Sequence, residues 1–157
     1  MNLKFLGALD QFSTQTNFNN SGDFVSILIP ARNEANNIGD CLESIISQDF
    51  ESFEVIILDD RSTDGTVKVV ESFLGSNQFV RLVKGKDLPD GWVGKNWACH
   101  QLSEHAKGQL ILFMDADTKL VNSSVLSNAV THIENKQVDL ITLMPQRESG
   151  SLVEKFM

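Results

Sequence analysis

From Phe24 onward, short apolar runs alternate with stretches whose apolar residues recur at helical spacing, and this alternation constrains the fold more than any other feature. The runs Phe24–Ile29, Glu54–Leu58, Phe79–Val83, Gln109–Met114 and Val138–Leu143 are rich in Val, Ile, Leu and Phe. They lack a clean two-residue alternation, as suits strands covered on both faces. Between the first two runs, Ile38, Cys41, Leu42, Ile45 and Ile46 share one helical face. Val67, Val70 and Leu74 form a second stripe, with Ser62, Thr63 or Asp64 as its cap. A third helix is predicted from Lys95 to Ala106. A fourth carries Leu126, Ala129, Val130 and Ile133, with Asn122 or Ser123 as its cap. Strand–helix–strand alternation demands mostly parallel strands joined by right-handed crossovers. The predicted class is α/β: an open, mostly parallel sheet with helices on both faces.

A chain of 157 residues suits one domain. Residues 1–23 are expected to form a flexible polar leader, because 11–21 are mostly Gln, Ser, Thr and Asn and bury too little apolar surface to offset ordering. Residues 24–145 hold the predicted domain. No apolar run approaches the ~18–20 residues that cross a bilayer. The net charge of −8 argues against a nucleic-acid partner, since a sequence-independent grip on phosphates needs clustered cations. Cys41 and Cys99 form no CxxC pair, fall in helical patterns and read as reduced core residues of a cytoplasmic protein.

In open parallel sheets, ligands bind beyond the carboxyl ends of the strands. The first predicted strand runs into Pro30-Ala31-Arg32-Asn33-Glu34, the second into Asp59-Asp60-Arg61-Ser62-Thr63-Asp64-Gly65, the fourth into Asp115-Ala116-Asp117. Carboxylates gathered on one edge repel one another unless a cation sits among them. All-oxygen ligands favour Mg²⁺ or Mn²⁺. If Asp115-Ala116-Asp117 is extended, both carboxylates point one way and Ala116 turns inward. Lys95, at the start of the third helix, offers an ammonium to a phosphate. Trp92 and Trp97 either stack on a ligand or pack their loop. Neither GxGxxG nor GxxxxGK[ST] occurs, which removes the dinucleotide fingerprint and the P-loop. Asp60, Ser62, Asp64, Gly65 and Glu71 match an EF-hand loop in spacing, but a β-branched strand precedes them where that loop needs a helix.

Ile29-Pro30-Ala31-Arg32-Asn33-Glu34, Leu58-Asp59-Asp60 with Ser62, Asp64, Gly65 and Thr66, Gly94-Lys95 with Ala98, and Met114-Asp115-Ala116-Asp117 together resemble the GT-A family 2 glycosyltransferases. The likeness runs from Val25 to Leu143, with its motifs in family order. Leu88-Pro89-Asp90-Gly91-Trp92 with Gly94, Lys95, Trp97 and Ala98 resembles the hopanoid- and carotenoid-associated branch. The resemblance implies a Rossmann-like half that binds a nucleotide-diphosphate sugar with Mn²⁺ or Mg²⁺, and an inverting transfer to an acceptor hydroxyl, expected to be a lipid's. By the same resemblance Pro30 and Arg32 flank the nucleoside, and Glu34 closes the site. Asp60 accepts from the base with Asp59 supporting its turn, and Lys95 lies near base or diphosphate. Asp115 binds ribose or sugar, and Asp117 holds the metal. The family's general base is expected beyond Met157. Residues 146–157 are then the start of a truncated acceptor half, and the full-length protein is expected at the membrane. The rival reading is a non-catalytic nucleotide-sugar or metal-binding module.

Overall fold

A computed structural model describes residues 2–3 and 23–146. Apart from Asn2, Leu3, Asp23 and Gln146, the expected leader and the expected start of an acceptor half lie outside these residues. In chain order the described elements are β1 (Asn2–Leu3), β2 (Val25–Ala31), α1 (Ile38–Ile46), β3 (Phe53–Asp59), α2 (Thr66–Leu74), β4 (Val80–Lys84), α3 (Gly94–His105), β5 (Leu110–Phe113), β6 (Lys119–Leu120), α4 (Val125–Lys136) and β7 (Pro145–Gln146).

The main sheet is parallel throughout, in the order β4-β3-β2-β5. Val25 lies opposite both Phe53 on β3 and Leu110 on β5. The chain therefore builds outward from β2 through β3 to β4, then returns to the other side of β2. That reversal is a topological switch point, where neighbouring loops part and leave a crevice. Pro30 helps to open it. Pairing with β5 ends at Leu28 opposite Phe113, so Pro30, which has no N–H to donate, lies past the ladder on that side. A small second sheet, β6-β1-β7, pairs β1 parallel to β6 and antiparallel to β7.

Helices cover both faces of β2 and β3, as their doubly apolar runs require, whereas on the edge strand β5 Ile111 and Phe113 are 48% and 51% exposed. Ile38, Cys41, Leu42 and Ile45 of α1, Val70 of α2, and Val125, Leu126 and Val130 of α4 join Val25, Ile27, Ile29, Val55 and Ile57 in one core. Fully burying each such aliphatic side chain contributes ~1.5–3 kcal/mol. On the opposite face α3 packs Ala98 and Leu102 against Leu28, Ile56 and Leu58. Cys41 and Cys99 thus lie on helices at opposite faces; Cys41 is buried in the core, whereas Cys99 is only half-buried.

Two local expectations differ from the structure. Val138–Leu143 is not a strand: α4 ends at Gln137 in the left-handed conformation, and Leu140 beyond it is 80% exposed. Its β-branched composition suits a half-buried pleated surface, but no described strand pairs with it. The cap of α4 is supplied neither by Asn122 nor by Ser123. The helix starts after Ser124, and the N–H of Leu126 donates instead to Oε1 of buried Gln48 at the end of α1, 3.0 Å away. At α2 the N-cap position falls to Gly65, one past Asp64, whose Oδ1 accepts the Thr66 N–H at 2.9 Å.

Candidate donor-binding cleft

The loops after β2, β3 and β5 and the first turn of α3 enclose an open cavity of about 400 Å³. That is enough for a ligand of ordinary size. Pro30, Arg32, Glu34, Asp60, Lys95, Asp115 and Asp117 all line it. Asp59 does not: it is buried beneath the β3 turn, and its Oδ1 accepts the Ser62 N–H at 3.1 Å. Small side chains at Ala31, Gly94, Ala98 and Ala116 keep the cleft wide between its charged walls. The lining carries four carboxylates and two cations.

Both cations are already engaged. The Nζ of Lys95 donates to Oδ1 of Asp115 at 2.6 Å, joining α3 to the turn after β5. This bond raises the Lys95 pKa, against the opposing effect of burial. Arg32 Nη1 lies 3.7 Å from Asp60 Oδ2, while Arg61 Nε approaches Oδ1 of the same carboxylate at 3.3 Å. Asp115-Ala116-Asp117 is a turn rather than extended, closed by the Thr118 N–H to the Asp115 carbonyl at 3.0 Å. The predicted alternation nevertheless holds. Ala116 is buried, and both carboxylates face the cleft. Beneath it the Cys41 thiol contacts the Asp115 carbonyl at 3.9 Å; burial foremost, then the charge of Asp117, pushes its pKa up to about 12. Cys41 therefore packs as a neutral thiol.

Two positioning residues carry no signal beyond turn composition. Asn33 (φ 56°) and Arg61 (φ 59°) hold left-handed conformations in the loops after β2 and β3. Asn33 tolerates that region better than most non-glycine residues. Its N–H donates to Ser62 Oγ at 3.0 Å, and its Oδ1 accepts the Thr63 N–H at 2.8 Å. The Glu34 N–H donates to Thr66 Oγ1 and the Ala35 N–H to Asp64 Oδ2, at 2.8 and 3.1 Å. The Thr66 hydroxyl also donates to Asp64 Oδ1, and this bond foremost, then those from the Thr66 and Ala35 N–H groups, lowers the Asp64 pKa. The two loops are thus zipped together, and Arg32 and Asp60 are presented on one rigid rim. Trp92 packs its loop: it meets Trp97 edge-on at 5.1 Å and stacks on His100 at 4.9 Å.

Among the described residues, no group of three or more His, Cys, Asp or Glu could hold a metal alone. The carboxylates of Asp115 and Asp117 on the cleft are a donor set that fits a Mg²⁺-type ion, which is usually held by one or two carboxylates with substrate phosphates and water completing the shell.

Fold and cleft together define an α/β domain with an open cleft at the switch point of a parallel sheet. The chain belongs to the family described as Glycosyl transferase family 2, whose profile matches residues 26–156. It is 34% identical over 149 residues to the 4,4'-diaponeurosporenoate glycosyltransferase of Staphylococcus aureus strain N315, covering 93% of this chain and 38% of that protein. Among solved structures, it resembles the mannosyltransferase PcManGT from Pyrobaculum calidifontis in complex with GDP-Man and Mn²⁺. That match has a TM-score of 0.62 and 29% identity over 71% of this chain and 32% of that one. TarS from S. aureus in complex with UDP-GlcNAc matches with a TM-score of 0.59 and 27% identity, over 78% of this chain and 37% of that one. The GT-A-like α/β fold is shared with these neighbours, and the chain spans about two-fifths of the curated relative's length.

Proposed function

We propose that this chain is the donor-binding part of an inverting glycosyltransferase that moves a sugar from a nucleotide-diphosphate sugar to an acceptor hydroxyl. The observation that carries the reading is the meeting of Asp60, Lys95, Asp115 and Asp117 around one cleft at the switch point. Complexes of similar proteins with UDP-GlcNAc, and with GDP-Man and Mn²⁺, support it. Pro30 and Arg32 flank the nucleoside, Asp60 accepts a hydrogen bond from the base, and Glu34 closes the rim. Asp59 acts indirectly, by fixing the turn that presents Asp60. Asp115 receives a ribose or sugar hydroxyl, and Lys95 turns its ammonium to the diphosphate. Asp117 holds Mn²⁺ or Mg²⁺. When bound, that ion supplies charge stabilisation of the departing diphosphate.

For the acceptor we propose a lipid. The diaponeurosporenoate glycosyltransferase named above supports this, as do Leu88, Trp92 and Val93, exposed apolar residues just before the lysine of the cleft. Among the described residues no helix is long and apolar enough to cross a membrane.

Thermal unfolding with UDP, GDP, CDP and dTDP, each with Mn²⁺ or with EDTA, tests the donor site. The expected result is a rise in Tm with one nucleotide that EDTA abolishes. A ligand at 100 times its Kd adds ~2.7 kcal/mol. No shift with any of the four overturns the reading.

A further inference from the structure

The cleft's own lysine stands where a bound cation would be needed. Lys95 reaches across the mouth from α3 and holds Asp115 at 2.6 Å, with side chains 62% and 46% exposed. The ammonium also lies within electrostatic reach of Asp117. The other lining cation, Arg32, lies 3.7 Å from Asp60. An ammonium within reach of Asp117 repels a divalent ion held there, and its short charge-assisted bond occupies an oxygen of neighbouring Asp115. The pair is also exchangeable: an ion pair this exposed is worth only ~0–1 kcal/mol, so a diphosphate with more negative charge can draw the lysine away.

We propose that Lys95 is the resident cation of the metal site, holding Asp115 in the absence of donor and keeping divalent-ion affinity low until a nucleoside diphosphate draws the ammonium off. This rests on the donor-site reading and adds a regulation to it. Ion and nucleotide bind interdependently, because nucleotide removes the ion's competitor. By linkage, the ion raises nucleotide affinity by the same factor.

Lys95→Met tests the proposal because its two effects have opposite signs. Free Mn²⁺, followed by electron paramagnetic resonance, is titrated with the wild-type chain, Lys95→Met and Lys68→Met. Lys68 is exposed on α2, outside the cleft lining, so its replacement controls for net charge. Without nucleotide, Lys95→Met is expected to bind Mn²⁺ about two- to fivefold more tightly than wild type, the range set by an exposed ion pair. Lys68→Met should match wild type. In parallel titrations with UDP, GDP, CDP and dTDP, Lys95→Met should bind the recognised nucleotide more weakly. The factor by which that nucleotide tightens Mn²⁺ should shrink. A merely structural lesion would weaken both ligands together. Adding Asp117→Asn to Lys95→Met should remove the gained Mn²⁺ affinity. If wild type shows nucleotide-dependent Mn²⁺ binding but Lys95→Met binds Mn²⁺ alone no more tightly than Lys68→Met, the resident-cation role is overturned and the donor site stands. If wild type binds Mn²⁺ neither alone nor with any nucleotide, the donor-site reading falls, and this inference with it.

Discussion

The two ends of the main sheet use the same chemical groups to opposite ends. At the amino-terminal end, Ser26 Oγ donates to Oε1 of Glu54 at 2.8 Å, and Arg81 Nη2 donates to Oε2 of the same carboxylate at 2.8 Å. The Lys107 N–H donates to both Ser26 Oγ and Glu54 Oε1, and the Gly108 N–H to Ser26 Oγ at 2.8 Å. Ser26 and Glu54 are buried, and the network pins the crossover from α3 to β5 against β2 and β3. At the carboxyl end, Lys95–Asp115 and Arg32–Asp60 are open to solvent on at least one partner. Burial turns a charged pair into a rivet, because breaking it strands a desolvated group. Exposure leaves a pair weak and replaceable, as a binding site requires.

The largest expected effect comes from breaking the rivet. Glu54→Ala removes the acceptor for Ser26, Arg81 and the Lys107 N–H, and should cost about 3–5 kcal/mol in urea unfolding. Gly108→Ala attacks the same corner sterically, since a Cβ there would overlap the Phe24 carbonyl oxygen and the Ser26 amide nitrogen. A loss of about 2–4 kcal/mol is expected, with the crossover forced off its hydrogen bonds.

The cleft should respond in the opposite sense, with ligand binding lost and the fold kept. Asp117→Asn is expected to leave ligand-free stability within about 0.5 kcal/mol. It should abolish the Mn²⁺-dependent nucleotide stabilisation of ~2.7 kcal/mol that is expected of wild type at 100 times Kd. A large drop in ligand-free Tm would mean that the carboxyl end is also structural and would erase the contrast.

Acid sharpens the comparison further. Burial pushes the Glu54 carboxyl up, but the bonds from Ser26, Lys107 N–H and Arg81 together hold it below its usual value of 4.5. A folded value below the unfolded one gives stability that is complete above about pH 4.5 and drains away as pH falls through the lowered folded value. Between pH 6 and pH 3, wild type should therefore lose more urea resistance than Glu54→Gln, which is less stable at pH 6 but has no carboxyl to protonate. Equal slopes would mean that the rivet does not hold the ionised form. The smallest effect belongs to Lys95→Met, which should change ligand-free stability by less than about 1 kcal/mol.

The strands at 25–31 and 53–59 were legible in the sequence because burial on both faces leaves an unbroken apolar run, whereas β5 is as apolar in sequence but leaves Ile111 and Phe113 about half exposed. The cleft residues were legible because, in a parallel sheet, the residues after each strand emerge on one edge. Asp59 lies beneath the turn and not on the cleft, in the supporting place that the resemblance implied for it. Whether the carboxylate beside Asp60 faces the cleft or the turn depends on the Ser62 N–H that meets it. Val138–Leu143 shows the same limit, since strand composition expresses a preference and names no partner. The cap of α4 likewise comes from Gln48, 78 positions upstream of Leu126, rather than from the neighbouring Asn or Ser.

The sequence by itself determined the α/β class, the chain order of the four helices and the four main-sheet strands, and the residue types delivered to the carboxyl edge. All three follow from periodicities and neighbours within a few positions along the chain. Only the tertiary structure decided that β5 returns beside β2, that Lys95 meets Asp115, and that Ser26, Glu54 and Arg81 close one buried network. Those contacts join residues 20 to 28 positions apart or more, and their partners are selected by which surfaces are left after the rest of the core has packed. No local pattern encodes that choice, because it is a property of the assembled sheet rather than of any one segment.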